Sequence, residues 1–121
     1  MILAPLPHNE AERLAVLHEL ELLDTPAEFF FDAVVELAKA QFSTPMAALT
    51  LIDSTRQVLK AQVGFMCDET SRDEAFCAHT ILRDGVMVVH DALVDPRFSD
   101  NPLVLSPQHI RFYAEIGRAH V

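Results

Sequence analysis

The first helical pattern lies between Asn9 and Leu23. Apolar residues recur there at three- and four-residue spacing, with charged residues between them. Asn9 is followed three residues later by Glu12, which is the arrangement of a helix N-cap and its capping-box partner. Glu10 and Arg13 fall among the charged positions and are predicted to be solvated. Because apolar residues lie on more than one side, the helix is predicted to pack on its own domain, alone or together with a second copy of the chain.

The second helical pattern covers residues 26–41. Thr25 has the position of an N-cap, Pro26 occupies the first helical position, and Glu28 completes a capping box. The spacing of the apolar residues predicts one buried stripe along this helix. Its members are Phe30, Val34, Leu37 and Ala38.

Strand patterns follow the two helices. Residues 46–53 form a nearly continuous apolar run, and residues 57–63 alternate, with Leu59 on the apolar face and Lys60 on the opposite one. A polar turn over 53–56 predicts that these strands pair as an antiparallel hairpin. Three further elements are predicted: a short helix over 75–83, a strand over 86–90 and a strand over 110–114. This order predicts an α+β fold, an antiparallel sheet with the N-terminal helices packed on one side.

Composition narrows the class of partner. The 121 residues have the length of one domain, 50% of them are hydrophobic, and the formal net charge is −9. An acidic surface argues against nucleic acid or an anionic membrane as a partner. No apolar run reaches the roughly 18 residues that a membrane span needs, and the first residues lack the positive charge of a signal peptide. We therefore expect no membrane insertion and a cytoplasmic location.

Metal and phosphate motifs do not stand out in the chain. Cys67 and Cys77 have no spacing typical of a zinc site or a disulfide framework. The three glycines form neither a P-loop nor a dinucleotide-binding motif. The sequence predicts no metal site, and it leaves any cofactor unknown.

The stretch 71–82 carries the densest candidate chemistry, a thiol and an imidazole beside charged residues. Cys77 and His79 are two positions apart, and on a helix such residues point roughly 200° away from each other. Asp73 lies one turn before Cys77, and a nearby carboxylate raises a thiol pKa. No catalytic residue is therefore predicted. Cys77 remains open as a packing residue, a pocket wall or a reactive thiol, and His79 as a structural histidine or a ligand contact.

A ligand pocket is predicted between the sheet and the segments 65–83 and 91–107. Such pockets are concave and mostly apolar, with a few fixed polar groups. The candidate lining residues are Asp73, Phe76, Cys77 and His79, with Leu51 and Asp53 contributed by the first strand. Each of these residues could also be explained by packing, capping or turn formation.

Several separated motifs together resemble the GAF domain. They lie in order at residues 9–14, 22–26, 76–81, 95–98, 101–104 and 110–114. The resemblance covers about residues 8–115 and is strongest to the bacterial branch that precedes histidine kinases and diguanylate cyclases. It implies a regulatory module that binds a small molecule, and a homodimer formed through the N-terminal helix. It also implies an output domain elsewhere in the same protein, while the ligand stays unidentified.

Two other functions stay open beside that of a sensor. Some GAF-like proteins reduce free methionine sulfoxide through cysteine chemistry, which here would use Cys67 or Cys77. Such chemistry needs an attacking thiol of low pKa and usually a resolving thiol. The third function is a ligand-free dimerisation module.

The resemblance also divides the chain into three parts. Residues 1–24 are expected to be a linker and dimerisation helix, and residues 25–115 a GAF domain that is incomplete at its C-terminal end. Residues 116–121 resemble a translated sequencing adapter and are expected to be a non-native tail. The family's domain continues with further strands and a closing helix. We therefore expect an unpaired sheet edge, marginal stability and a tendency to aggregate.

Overall fold

The computed structural model describes residues 2–117, and the predicted α+β class is confirmed. Met1 and residues 118–121 lie outside the described residues, so most of the predicted non-native tail does too. Two longer helices come first along the chain, and strands and short helices follow them. The elements are α1 (Glu10–Glu19), α2 (Phe29–Phe42), β1 (Ala47–Ile52), β2 (Arg56–Val63), β3 (Glu69–Ser71), a 3₁₀ turn (Arg72–Glu74), α3 (Cys77–Thr80), β4 (Val86–Val89), α4 (Pro102–Leu105) and β5 (Tyr113–Ile116).

The strands form two antiparallel sheets where a single one was predicted. One sheet has the order β1-β2-β3, and the other pairs β4 with β5. The hairpin of β1 and β2 is confirmed, and Ile116, which the sequence placed in the tail, pairs with Val86 at the end of β5. The three residues of β3 lie in a stretch where no strand was predicted. So short a strand leaves no period-two pattern to detect.

A β-bulge in β2 interrupts the predicted alternation, which placed Leu59 and Lys60 on opposite faces of the strand. Leu49 pairs with Ala61, but the next residue, Thr50, pairs with Leu59, so Lys60 is the extra residue of the bulge. A bulge interrupts the alternation of side chains along a strand. As a result Leu59, Lys60 and Ala61 are all buried, although they are consecutive.

The ammonium group of Lys60 fastens the connection between α1 and α2 to the sheet. It donates to the carbonyl oxygen of Pro26 at 2.8 Å and to the hydroxyl of Thr25, and it lies 3.3 Å from the Glu28 carboxylate. Only 2% of the Lys60 side chain is exposed. A buried charge is tolerated when it is paired and hydrogen-bonded in this way.

Helix α2 begins later than predicted and is rotated. Thr25 does not cap it, because its hydroxyl donates instead to the carbonyl oxygen of Leu22 at 2.6 Å. The helix packs on β1 and β2 with Val35 as its one buried residue. Most of the predicted buried stripe is exposed to solvent. The exposed members are Phe30, Val34 and Leu37.

Helix α1 also differs in detail from its predicted form. It ends at Glu19, four residues earlier than predicted, and Glu21 then adopts a left-handed φ of 53°. The Asn9 side chain makes no capping hydrogen bond. Arg13 and Leu17 are its buried residues, so the expectation that Arg13 is solvated is wrong.

The core consists of two clusters that share Tyr113. The larger cluster surrounds Phe76 and Phe98, and the smaller one surrounds Cys77 and Ala78. Tyr113 packs against both of them from β5. The position of β5 therefore depends on α3, which contacts both β1 and β5.

Replacement of Lys60 by Met tests the anchor. The variant keeps the apolar stem but leaves the Pro26 carbonyl and the Glu28 carboxylate without their cation, so we expect a loss of about 1–3 kcal/mol in the free energy of unfolding. Urea unfolding followed by circular dichroism measures it. Lys39→Met, in the last turn of α2, is the matched control and should cost clearly less. Equal losses in both variants would show that the Lys60 contacts contribute no stability.

Candidate functional site

Cys77 lies at the start of α3 in a buried set of polar groups. Its Sγ atom is 3.3 Å from the Thr50 hydroxyl on β1 and 3.2 Å from the Tyr113 hydroxyl on β5. Tyr113 donates to the Glu115 carboxylate at 2.5 Å, and the Thr80 hydroxyl donates to the same carboxylate at 2.8 Å. Burial and the charge of Glu115 raise the pKa of the Cys77 thiol well above its usual range. The thiol is therefore protonated at neutral pH and joins β1 to β5.

His79 has different neighbours from Cys77. Its Nε2 atom lies 3.1 Å from the carbonyl oxygen of Ile2, and its ring meets Phe98 edge-on at 5.0 Å between centroids. Burial lowers the pKa of His79, although the contact with Ile2 opposes this. The imidazole is thus biased towards its neutral form. It lies against the first residues of the chain.

Phe76 and Leu51 occupy packing positions. Phe76 is 2% exposed and stacks on Phe98 with ring centroids 4.1 Å apart. Leu51 is partly buried in β1, where it pairs with Val58 of β2. Phe76 belongs to the larger core cluster. Leu51 lies between Thr50 and Ile52, which both face Cys77, so its side chain points to the opposite face of β1.

Asp53 directly follows β1 and binds groups from three directions. Its carboxylate lies 3.0 Å from Nε2 of His18 and accepts from the Ser54 backbone N–H at 2.8 Å, with Arg56 at 3.5 Å. Burial by itself would raise the pKa of Asp53, but the hydrogen bonds from His18 and Ser54 lower it overall. Arg56 in turn binds both carboxylate oxygens of Asp24. The tip of the hairpin is therefore held by α1 and by the α1–α2 connection.

A buried ion cluster that the sequence did not reveal lies beside this tip. Glu10 accepts from Arg13 at 2.9 and 3.0 Å and from Arg72 at 2.5 and 3.2 Å. Arg13 also donates to the carbonyl oxygen of Ile52 at 2.6 Å, and Arg72 to that of Asp53 at 3.1 Å. Burial would raise the pKa of Glu10, but the hydrogen bonds from Arg72 and Arg13 lower it to about 2.

The spacing of Glu10 and Arg13 on one helix face was a visible signal for part of this cluster. Arg72, however, lies 62 positions away from Glu10 along the chain. No local pattern connects residues at that separation. The cluster therefore became visible only in the folded chain.

Two concave regions flank these groups. The smaller, called the hollow below, has a volume of about 170 Å³, and Asp73 is the one predicted ligand residue on its wall. Its lining residues are Ala4, Leu6, Ser54, Thr55, Arg72, Asp73 and Ala78. The larger is an open groove of about 390 Å³ between the α1–α2 connection and β2, and none of the six candidates lines it.

Within residues 2–117, no three or more histidine, cysteine, aspartate or glutamate side chains are placed to hold one metal ion. No helix in that same range is long and apolar enough to cross a membrane.

Comparison with known proteins relates the chain to a larger protein. No protein-family model matches it. It is 40% identical over 114 residues to a cyclic di-GMP phosphodiesterase of Pseudomonas aeruginosa. The match covers 94% of this chain but 19% of that enzyme, so the chain spans about a fifth of the length of this relative.

Acid titration tests the ion cluster. The pKa of Glu10 lies at about 2 in the folded chain against an ordinary 4.5, so its stabilisation is complete above pH 4.5 and is lost as the pH falls towards 2. We expect a loss of about 3 kcal/mol over that range from this group. Urea unfolding at several pH values measures it. Glu10→Gln should be less stable at neutral pH and lose less on acidification, whereas Glu12→Gln, exposed on the same helix, should follow the parent.

Proposed function

We propose that this chain is a non-enzymatic regulatory module of the GAF type that senses a small molecule within a bacterial cyclic di-GMP signalling protein. The observation that carries the proposal is the 40% identity to one region of the Pseudomonas aeruginosa phosphodiesterase. Because that region is 19% of the relative, four fifths of the enzyme remain for its catalytic and other parts. A region of this size is typical of one domain in a larger protein.

The state of the thiol supports a role without catalysis. An attacking cysteine needs an accessible thiolate, and thiolates form when the thiol pKa is lowered. Cys77 is 3% exposed and its pKa is raised. These properties disfavour Cys77 as the attacking thiol of the redox enzyme that the sequence left open.

The hollow supports small-molecule binding beside α3. Its lining includes two hydroxyl residues, Ser54 and Thr55, and two charged residues, Arg72 and Asp73. Hydroxyls and charges at fixed positions can orient a small polar ligand. We propose that such a ligand binds in the hollow beside Asp73 and changes the contacts between α3 and the first residues of the chain.

We further propose a homodimer formed through residues 1–24 and an output domain elsewhere in the same cytoplasmic protein. Val16 of α1 and Leu20, the C-cap residue of this helix, lie four positions apart and are 39% and 57% exposed. Residues at this spacing share a helix face. Contact between two such faces would remove this apolar surface from water.

Activity measurements on the relative and on this chain test the regulatory role. The isolated chain should not hydrolyse cyclic di-GMP, as followed by chromatography. Deletion of the matched region from the Pseudomonas aeruginosa phosphodiesterase should leave its hydrolysis measurable but change its rate, and insertion of this chain at that place should restore regulation. Hydrolysis by the isolated chain would overturn the proposal. So would a complete loss of hydrolysis in a deletion variant that remains folded.

Sedimentation equilibrium tests the dimer. Leu20→Glu places a charge on the exposed face of α1, so self-association should weaken by about tenfold or more. Leu93→Glu alters a leucine of similar exposure outside α1 and should leave the dissociation constant unchanged. A parent chain that stays monomeric at all concentrations, or equal effects of both substitutions, would contradict a dimer through this helix.

A further inference from the structure

Residues 2–7 run across α3 before α1 begins, and we call them the strap. The carbonyl oxygen of Ile2 lies 3.1 Å from Nε2 of His79. Ala4 packs against the smaller core cluster, which contains Cys77 and Ala78. Pro7 is buried, and its carbonyl oxygen accepts from the N–H of Glu10 at the start of α1.

The strap forms one wall of the hollow. Ala4 and Leu6 line it on one side, while Asp73 and Ala78 line it on the other. Behind Ala4 lies the cluster that buries Cys77. Removal of the strap would therefore open the hollow and bring solvent to this side of α3.

Few contacts hold the strap in place. Within the described residues it belongs to no helix and pairs with no strand. Ile2, Leu3 and Leu6 are each more than half exposed. Segments with few buried apolar contacts and no ladder of backbone hydrogen bonds open locally at a small cost in free energy.

We propose that the strap opens independently of the rest of the fold and controls access to the hollow and to the Cys77 side of α3. A displacement of α1 would also move the strap, because the strap continues directly into this helix. Glu10 of α1 also binds Arg72, which lines the hollow. A molecule in the hollow and a displacement of α1 thus act on the same contacts. The use of this gate in sensing rests on the proposed function, whereas the opening itself does not.

Thiol labelling of Cys77 measures the opening. The background carries Cys67→Ser, so that a disulfide reagent such as dithiobis-nitrobenzoate reports on Cys77 alone. Ala4→Asp places a carboxylate against the apolar cluster at a partly buried position and should favour the open strap, because removing a charge from water is costly. We expect labelling to accelerate by about tenfold or more. Leu3→Asp, which adds the same charge at a 54% exposed position, should label like the parent.

The urea dependence of labelling separates local from global opening. Local opening exposes little surface, so the labelling rate of the Cys67→Ser chain should hardly change at low urea concentrations, whereas global unfolding would make it rise steeply. This measurement needs no change in the strap, so it stays decisive if Ala4→Asp fails to fold. A steep rise at all urea concentrations, or equal rates for folded Ala4→Asp and the parent, would overturn the proposal.

Neither labelling measurement uses cyclic di-GMP or a ligand. If the strap stays closed and the isolated chain does not hydrolyse cyclic di-GMP, the proposed gate is refuted and the regulatory role is retained. A strap that opens in a chain that hydrolyses cyclic di-GMP would support the gate and refute the regulatory role. The two proposals can therefore fail separately.

Discussion

The carboxylate of Glu10, held between two guanidinium groups, is the interaction on which the arrangement around α3 depends. Arg13 and Arg72 are each less than a tenth exposed. A buried cation without a partner costs several kcal/mol, so removing Glu10 would leave two unfavourable charges rather than one missing bond. The same guanidinium groups reach the carbonyl oxygens of Ile52 and Asp53. One acidic residue thus fixes α1, the hairpin tip and the 3₁₀ turn relative to one another.

Several basic side chains of this acidic protein bind carboxylates in its loops and connections. Arg56 holds Asp24, Lys60 holds the connection before α2, and Arg97 holds Asp95. Asp24 itself has a left-handed φ of 58°, which for a residue other than glycine needs compensating contacts. Arg56 binds both of its carboxylate oxygens.

The sequence patterns predicted where helices and strands lie better than which of their faces are buried. The β1–β2 hairpin followed from its apolar run, polar turn and alternation, which depend on neighbouring residues alone. The burial of Lys60 did not, because a bulge shifts the alternation by one residue and leaves no mark in the hydrophobic pattern. The orientation of α2 was also missed, since its apolar residues surround the helix and Val35 is as apolar as Phe30.

The candidate site shows the same limit. That Cys77 and His79 face different neighbours followed from helical geometry, and the structure agrees in giving them separate contacts. The contacts of Cys77 with Thr50 and Tyr113, and of His79 with Ile2, join residues distant in sequence. Pairings of this kind depend on how the strands and the first residues meet around α3. Residue spacing does not encode them.

The outward face of α2 has a practical consequence for handling the folded protein. Phe29, Phe30 and Phe42 are each more than two thirds exposed. Fluorescent dyes used to follow melting bind such aromatic surface, so the native chain should already give a bright signal at room temperature. Intrinsic fluorescence offers little help, because the chain has no tryptophan and its one tyrosine is Tyr113. Backbone circular dichroism is therefore the method that distinguishes folded from unfolded chain.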